Sequence, residues 1–225
     1  MSSTRLHFIR HGQAYSNIPH DGKVVSGMKG DKGLTPHGIS QVERLRDRLL
    51  ATNELAADVV LASTLPRAWQ SAEILTPVWE TPIIPDDDLH ELRPGEADGM
   101  LRELARERYG YGDFAESPYQ PKSPGGETWG AFMLRVGTML DRVTREYEGK
   151  TIVLITSGGV IHAAFLIFFG MHTLVPPGVW FATDNTSITT WEQRPWRNLP
   201  SVWTLLRYND TSHLRNHYER IEEHL

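Results

Sequence analysis

Three short segments carry side chains suited to gripping an anion: Arg10-His11-Gly12, Arg67 and Ser157-Gly158-Gly159. Arginine forks match phosphate oxygens through paired N–H groups, and backbone N–H groups at a helix start favour negative charge. An imidazole adds a nitrogen that can attack or carry a proton. A phosphate pocket is the economical reading of these groups together. Each alone is more often structural, so the weight rests on whether the fold gathers them.

Competing motifs fail on context. Gly149-Lys150-Thr151 ends like a nucleotide-binding P-loop, but Thr144 stands where that motif needs glycine, and the segment precedes a strand instead of following one. Ser157 with Gly159 resembles a hydrolase nucleophile elbow, yet Ile155 occupies the first glycine position. His213 with Asp184 or Asp210 would have to complete that triad. His213 and His217 have the spacing to clasp a metal but lack a third nearby ligand. Asp86-Asp87-Asp88 reads as a solvated turn.

The elements that must position the anion-binding groups are legible from apolar spacing. Arg5–Arg10 is a strand leading into His11. Thr35-Pro36 starts a helix with Ile39, Val42, Leu45 and Leu49 on one face. Asp58–Ser63 is a second strand, and Pro66 opens a helix with Arg67 in its first turn and Ala68, Ala72 and Leu75 inward. Pro77–Pro85 reads as extended. Glu127–Tyr147 is a long helix, and Thr151–Thr156 is the central strand. Ser187–Trp191 and Val202–Arg207 read as two more strands around a proline turn at Arg194–Pro200. Leu214, Tyr218, Ile221 and Leu225 suggest a final amphipathic helix. Strands alternating with helices argue for an α/β fold around a mostly parallel sheet, which places all three segments beyond strand ends. We expect a single domain over 1–225, with a small cap or loop insertion around 100–126.

Composition narrows the function classes. Lys plus Arg is 23 against 28 Asp plus Glu, a net charge of −5, which disfavours general binding to nucleic acid or an anionic membrane. With no cysteine, disulfides, cysteine–zinc sites and cysteine-nucleophile phosphatase chemistry are excluded. Met1–Arg10 lacks the apolar core of a signal peptide, and the apolar stretch Thr151–Phe169 is interrupted by Ser157-Gly158-Gly159 and His162. A cytoplasmic location is expected.

The segment Leu6-His7-Phe8-Ile9-Arg10-His11-Gly12-Gln13 resembles the signature of the histidine phosphatase superfamily, the phosphoglycerate-mutase-like proteins. Ordered matches follow. Leu34–Gln41 resembles the family's helix opening, and Ser63–Ala68 the segment of its second pocket arginine. Glu91–Glu96 resembles the segment of its acidic proton donor. Gly125–Thr128 and Asn209–Leu214 also fit. The resemblance implies a three-layer α/β/α fold and phosphoryl transfer through a phosphohistidine at His11. It implies oxygen-holding roles for Arg10, Asn17 and Arg67, with Gly158 and Ser157 completing the pocket, and an acid–base role for Glu91. The expected activity is metal-independent phosphomonoester hydrolysis with no cofactor. Phosphoglycerate mutase is the rival reading. The expected partner is a small phosphorylated substrate, without nucleic acid or membrane, and a homodimer stays open. Tyr109, Tyr111, Phe114 and Tyr119 are candidates to line the leaving-group side.

One departure stands out. Where the family has a second pocket histidine after the central strand, this chain has Ser157. A neutral hydroxyl is a weaker donor than a charged ring, by ~1 kcal/mol. The swap attenuates catalysis, or marks a phospho-ligand-binding protein, unless His162 or His90 compensates. His162 is expected to pack instead.

Overall fold

A computed structural model describes residues 3–18, 24–110, 119–171, 174–196 and 199–215. Six strands form one sheet: β1 (Thr4–Arg10), β2 (Val59–Ala62), β3 (Ile83–Pro85), β4 (Thr151–Thr156), β5 (Ile188–Trp196) and β6 (Leu199–Asp210). Their spatial order is β3-β2-β4-β1-β5-β6. The first four run parallel; β5 is antiparallel to β1, and β6 to β5.

Helices α1 (Pro36–Thr52) and α2 (Pro66–Leu75) cover one face of the sheet, and α4 (Trp129–Glu146) and α5 (Gly158–Phe168) the other. The short α3 (Arg102–Tyr109) belongs to neither face. Along β4 the side chains alternate between two cores. Ile152 and Leu154 join Phe132, Val136 and Leu140 of α4, while Val153 and Ile155 join Val42 and Leu45 of α1. A strand buried on both faces reads as an unbroken apolar run, which is why Thr151–Thr156 was legible.

The expected three-layer α/β/α architecture holds, with local corrections. In α1, Ile39 is exposed and Gly38 takes the inward position with Val42, Leu45 and Leu49. A Cβ at Gly38 would overlap the carbonyl of Gln13, so only glycine lets the helix start press against the loop after β1. Thr35 caps this helix, accepting from the Gly38 N–H at 2.9 Å. Pro77–Pro85 is not one extended run: Thr76–Val78 forms a 3-10 turn before edge strand β3.

Arg194 and Pro195 are not in a turn but inside β5, and Pro200 lies in β6. Strand β1 ends its pairing with β5 at Gln193, so no β1 carbonyl awaits an N–H from residue 195. The expected C-terminal helix is represented only by Leu214, in a 3-10 turn; Tyr218, Ile221 and Leu225 lie outside the described residues. No helix among the described residues is long and apolar enough to cross a membrane.

Candidate active site

Parallel strands β1, β2 and β4 end on the same side of the sheet, and β1 and β4 are neighbours. The chain leaves β1 toward helix α1 on one face and leaves β4 toward α5 on the other. A crevice opens where two such connections diverge. Here it is a cavity of about 500 Å³, with Arg10, His11, Asn17, Arg67, Glu91 and Gly158 in its wall.

His11 is buried at the end of β1, 2% exposed. Its Nδ1 lies 2.7 Å from the Gly12 carbonyl, which fixes Nδ1 as the protonated nitrogen. Nε2 therefore keeps its lone pair, and the Nε–H of Arg67 donates to it at 3.0 Å. Burial first, then the Arg67 and Arg10 charges, hold the ring pKa well below the usual histidine range. The ring is neutral at physiological pH.

Pro66 starts α2 and places Arg67 in its first turn. Besides His11, the Arg67 guanidinium donates to Asp31 at 2.7 Å, to Ser157 Oγ at 3.3 Å and to Ser26 Oγ at 3.4 Å. Arg10 donates from Nη1 to the Thr183 carbonyl, and its buried Nε has no partner among the described residues. Asn17 accepts the Ala14 N–H on Oδ1 at 2.9 Å, which turns its amide nitrogen to the role of donor.

Glu91 follows a 3-10 turn (Asp87–Leu89) and meets the start of α5. Its Oε2 accepts from the Gly159 N–H and its Oε1 from the Leu92 N–H, both at 3.0 Å. A Cβ at position 159 would overlap this carboxylate as it stands, so a larger residue there would push Glu91 aside.

Ser157 is buried and N-terminal to α5, but its side chain caps nothing and does not line the cavity; it is an acceptor for Arg67. His162 packs, as expected. The Phe181 N–H donates to its Nδ1 at 3.2 Å, its ring stacks on Trp180 with centroids 3.9 Å apart, and burial lowers its pKa to about 4. His90 lies 2.6 Å from Thr64 Oγ1, outside the main cavity wall. Neither histidine takes the place of the missing one.

The hydrolase-triad alternative dissolves: His213 contacts Thr186 at 2.8 Å, while Ser157 is held by Arg67. His217 lies outside the described residues. Of the four candidate aromatics, Tyr109 bonds Glu96 at 3.0 Å, Tyr119 is 71% exposed, and Tyr111 and Phe114 lie outside the described residues. Among the described residues, the aromatic in the cavity wall is Trp180, accompanied by Arg102 and Lys122.

A family model for the histidine phosphatase superfamily (branch 1) matches residues 6–211. The chain belongs to this superfamily. Among its relatives, a 2-carboxy-D-arabinitol-1-phosphatase of Triticum aestivum is 28% identical over 92% of this chain and 41% of its own length. A 2,3-bisphosphoglycerate-dependent phosphoglycerate mutase of a Methylobacterium strain is 27% identical over 76% of this chain and 83% of its own. The fold is shared with Entamoeba histolytica phosphoserine phosphatase, solved with 3-phosphoglyceric acid. There the TM-score is 0.71 at 24% identity, covering 94% of this chain and 100% of that one. Within this histidine phosphatase superfamily member, motif reading missed Arg102, Lys122 and Trp180, which line the cavity, and Asp31, which pairs with Arg67 behind it. Asp31 had one sequence clue, an acid just ahead of the Gly33-Leu34-Thr35 helix start; the others carry no motif.

Proposed function

We propose that this protein is a metal-independent phosphomonoester hydrolase acting through phosphohistidine at His11. The observation that carries the reading is a buried, neutral His11 whose Nε2 lone pair accepts from Arg67, in the wall of a cavity that also contains Arg10 and Glu91. Arg10, Arg67, Asn17 and the N–H groups of α5 would hold the phosphoryl oxygens and absorb charge as it shifts. His11 Nε2 forms a bond to phosphorus as the ester P–O bond breaks, and a proton on Glu91 goes to the leaving oxygen. The Glu91 carboxylate then takes a proton from water, whose oxygen attacks phosphorus. The N–P bond breaks, inorganic phosphate leaves, and His11 returns neutral.

The preferred substrate class is a phosphomonoester carrying a second anionic group. Arg102 and Lys122 add positive charge to the cavity wall beyond the two arginines next to His11. Two proteins similar to this one are named for, or were solved with, carboxylate-bearing phosphate compounds. The mutase reading is favoured by the bisphosphoglycerate-dependent relative, and a 2- versus 3-phosphoglycerate interconversion assay separates the two. The location we infer is cytoplasmic.

Two arginines already supply the positive charge that a metal would bring. Turnover of a phosphoester panel should therefore be unchanged by EDTA. Loss on chelation and recovery with a divalent cation would sink the mechanism.

A further inference from the structure

We propose that Asp31 is a positioning residue that fixes which edge of the Arg67 guanidinium faces His11 and the incoming phosphoryl group. The inference rests on the phosphohistidine reading above. Asp31 lies outside the cavity wall, and its side chain is 1% exposed, against 5% for Arg67. One carboxylate oxygen accepts both from the Arg67 guanidinium at 2.7 Å and from the Arg67 backbone N–H at 3.2 Å. The other accepts from the Gly33 N–H at 2.8 Å.

This carboxylate grips the same residue at both ends of its side chain. Helix α2 has Leu65 at its N-cap, which offers no side-chain oxygen, so Asp31 supplies an acceptor from a distant loop. The loop is itself docked on α2. The Leu34 N–H donates to Gln70 Oε1 at 2.8 Å, and Gly33, at φ +78°, sits where a Cβ would overlap that amide.

The geometry matters because Arg67 Nε occupies the lone pair of His11 that must reach phosphorus. Arg67 has to release His11 and turn its donors to the phosphoryl oxygens without leaving the pocket. Its other anchors, Ser26 and Ser157, are neutral and lie at 3.4 and 3.3 Å. Among the described residues, Asp31 alone of its hydrogen-bond partners is charged and close, so it acts as the pivot.

The test is a double-mutant cycle in the 225-residue chain with p-nitrophenyl phosphate. Asp31→Ala should lower kcat by roughly 10- to 100-fold, the scale of a misplaced oxygen clamp, with a smaller change in KM. In an Arg67→Ala background the same substitution should cost less than about twofold, because the residue it acts through is gone. An equal loss in both backgrounds would mean that Asp31 only supports the loop, and would overturn the proposal.

Should the Asp31 variants fail to fold, 15N-arginine NMR of the wild-type chain in phosphate-free buffer decides the point, because Asp31 is then the charged partner of the Arg67 guanidinium. Arg67 Nη signals, assigned by their loss in Arg67→Lys, should be separate, reporting hindered rotation; one averaged signal would overturn the proposal. That measurement needs no turnover. If the wild-type chain hydrolyses no phosphoester, the functional reading fails while the role of Asp31 is still decided.

Discussion

The floor and the mouth of the cavity are built differently. On the floor, the buried His11 and Arg67 are joined by a direct hydrogen bond, Asp31 holds Arg67 from behind, and the supporting strands lie between two large cores. At the mouth, Arg102 begins α3, which packs chiefly through Ala105 against Val25 and Ala97. Trp180 is 62% exposed and rests on the buried His162 ring. A rigid, prepaired floor suits chemistry, where donors must be in place before charge moves. A mouth with few anchors suits discrimination among leaving groups. Substitutions on the floor should change kcat, and those at the mouth should change KM for particular substrates.

The largest effect expected is at Glu91. In single-turnover experiments, Glu91→Gln should slow phosphoryl transfer from an alkyl phosphate by ~10²- to 10⁴-fold, the usual contribution of a general acid. Transfer from p-nitrophenyl phosphate should fall far less, because nitrophenolate leaves without a proton. Equal losses on both would assign Glu91 to positioning only.

Ser157 offers a sharper test of the floor. It serves Arg67 as an acceptor and does not line the cavity. Ser157→Ala should lower kcat about 5-fold, the equivalent of ~1 kcal/mol for one hydrogen bond. A loss beyond roughly 100-fold would mean that the hydroxyl contacts the phosphoryl group directly.

The smallest effect belongs to the mouth. Arg102 is exposed, so its pairing with a substrate carboxylate is screened by water and worth up to ~1 kcal/mol. Arg102→Ala should raise KM for 3-phosphoglycerate about 2- to 5-fold and leave p-nitrophenyl phosphate unaffected. A kcat loss on both substrates would erase the distinction between floor and mouth.

The same contrast governs what the sequence revealed. The sheet strands carry apolar runs, and Arg10, His11, Arg67 and Glu91 sit in motif-bearing segments next to them; the structure brings these four to one cavity. Ser157 was legible by position but not by contact, since nothing local shows that Arg67 would claim its oxygen. Asp31 was legible only as an acid ahead of a helix start; its pairing was not, because its partner lies 36 residues away and a loop acid reads as solvated until the pairing is seen. Ile39 misled because a glycine takes the inward position wherever backbones touch. Trp180 and Arg102 had no pattern to mark them, since their places are set by tertiary packing at the mouth.

The central claim is tested most directly by looking for the covalent intermediate in Glu91→Gln mixed with p-nitrophenyl phosphate. The good leaving group lets the first step proceed, while loss of the base stalls attack by water. The account predicts a burst of nitrophenolate approaching one per chain, together with an acid-labile, alkali-stable phosphoryl group on His11 that His11→Ala lacks. Product formation with His11 never phosphorylated, or with the phosphoryl group on another side chain, would contradict it.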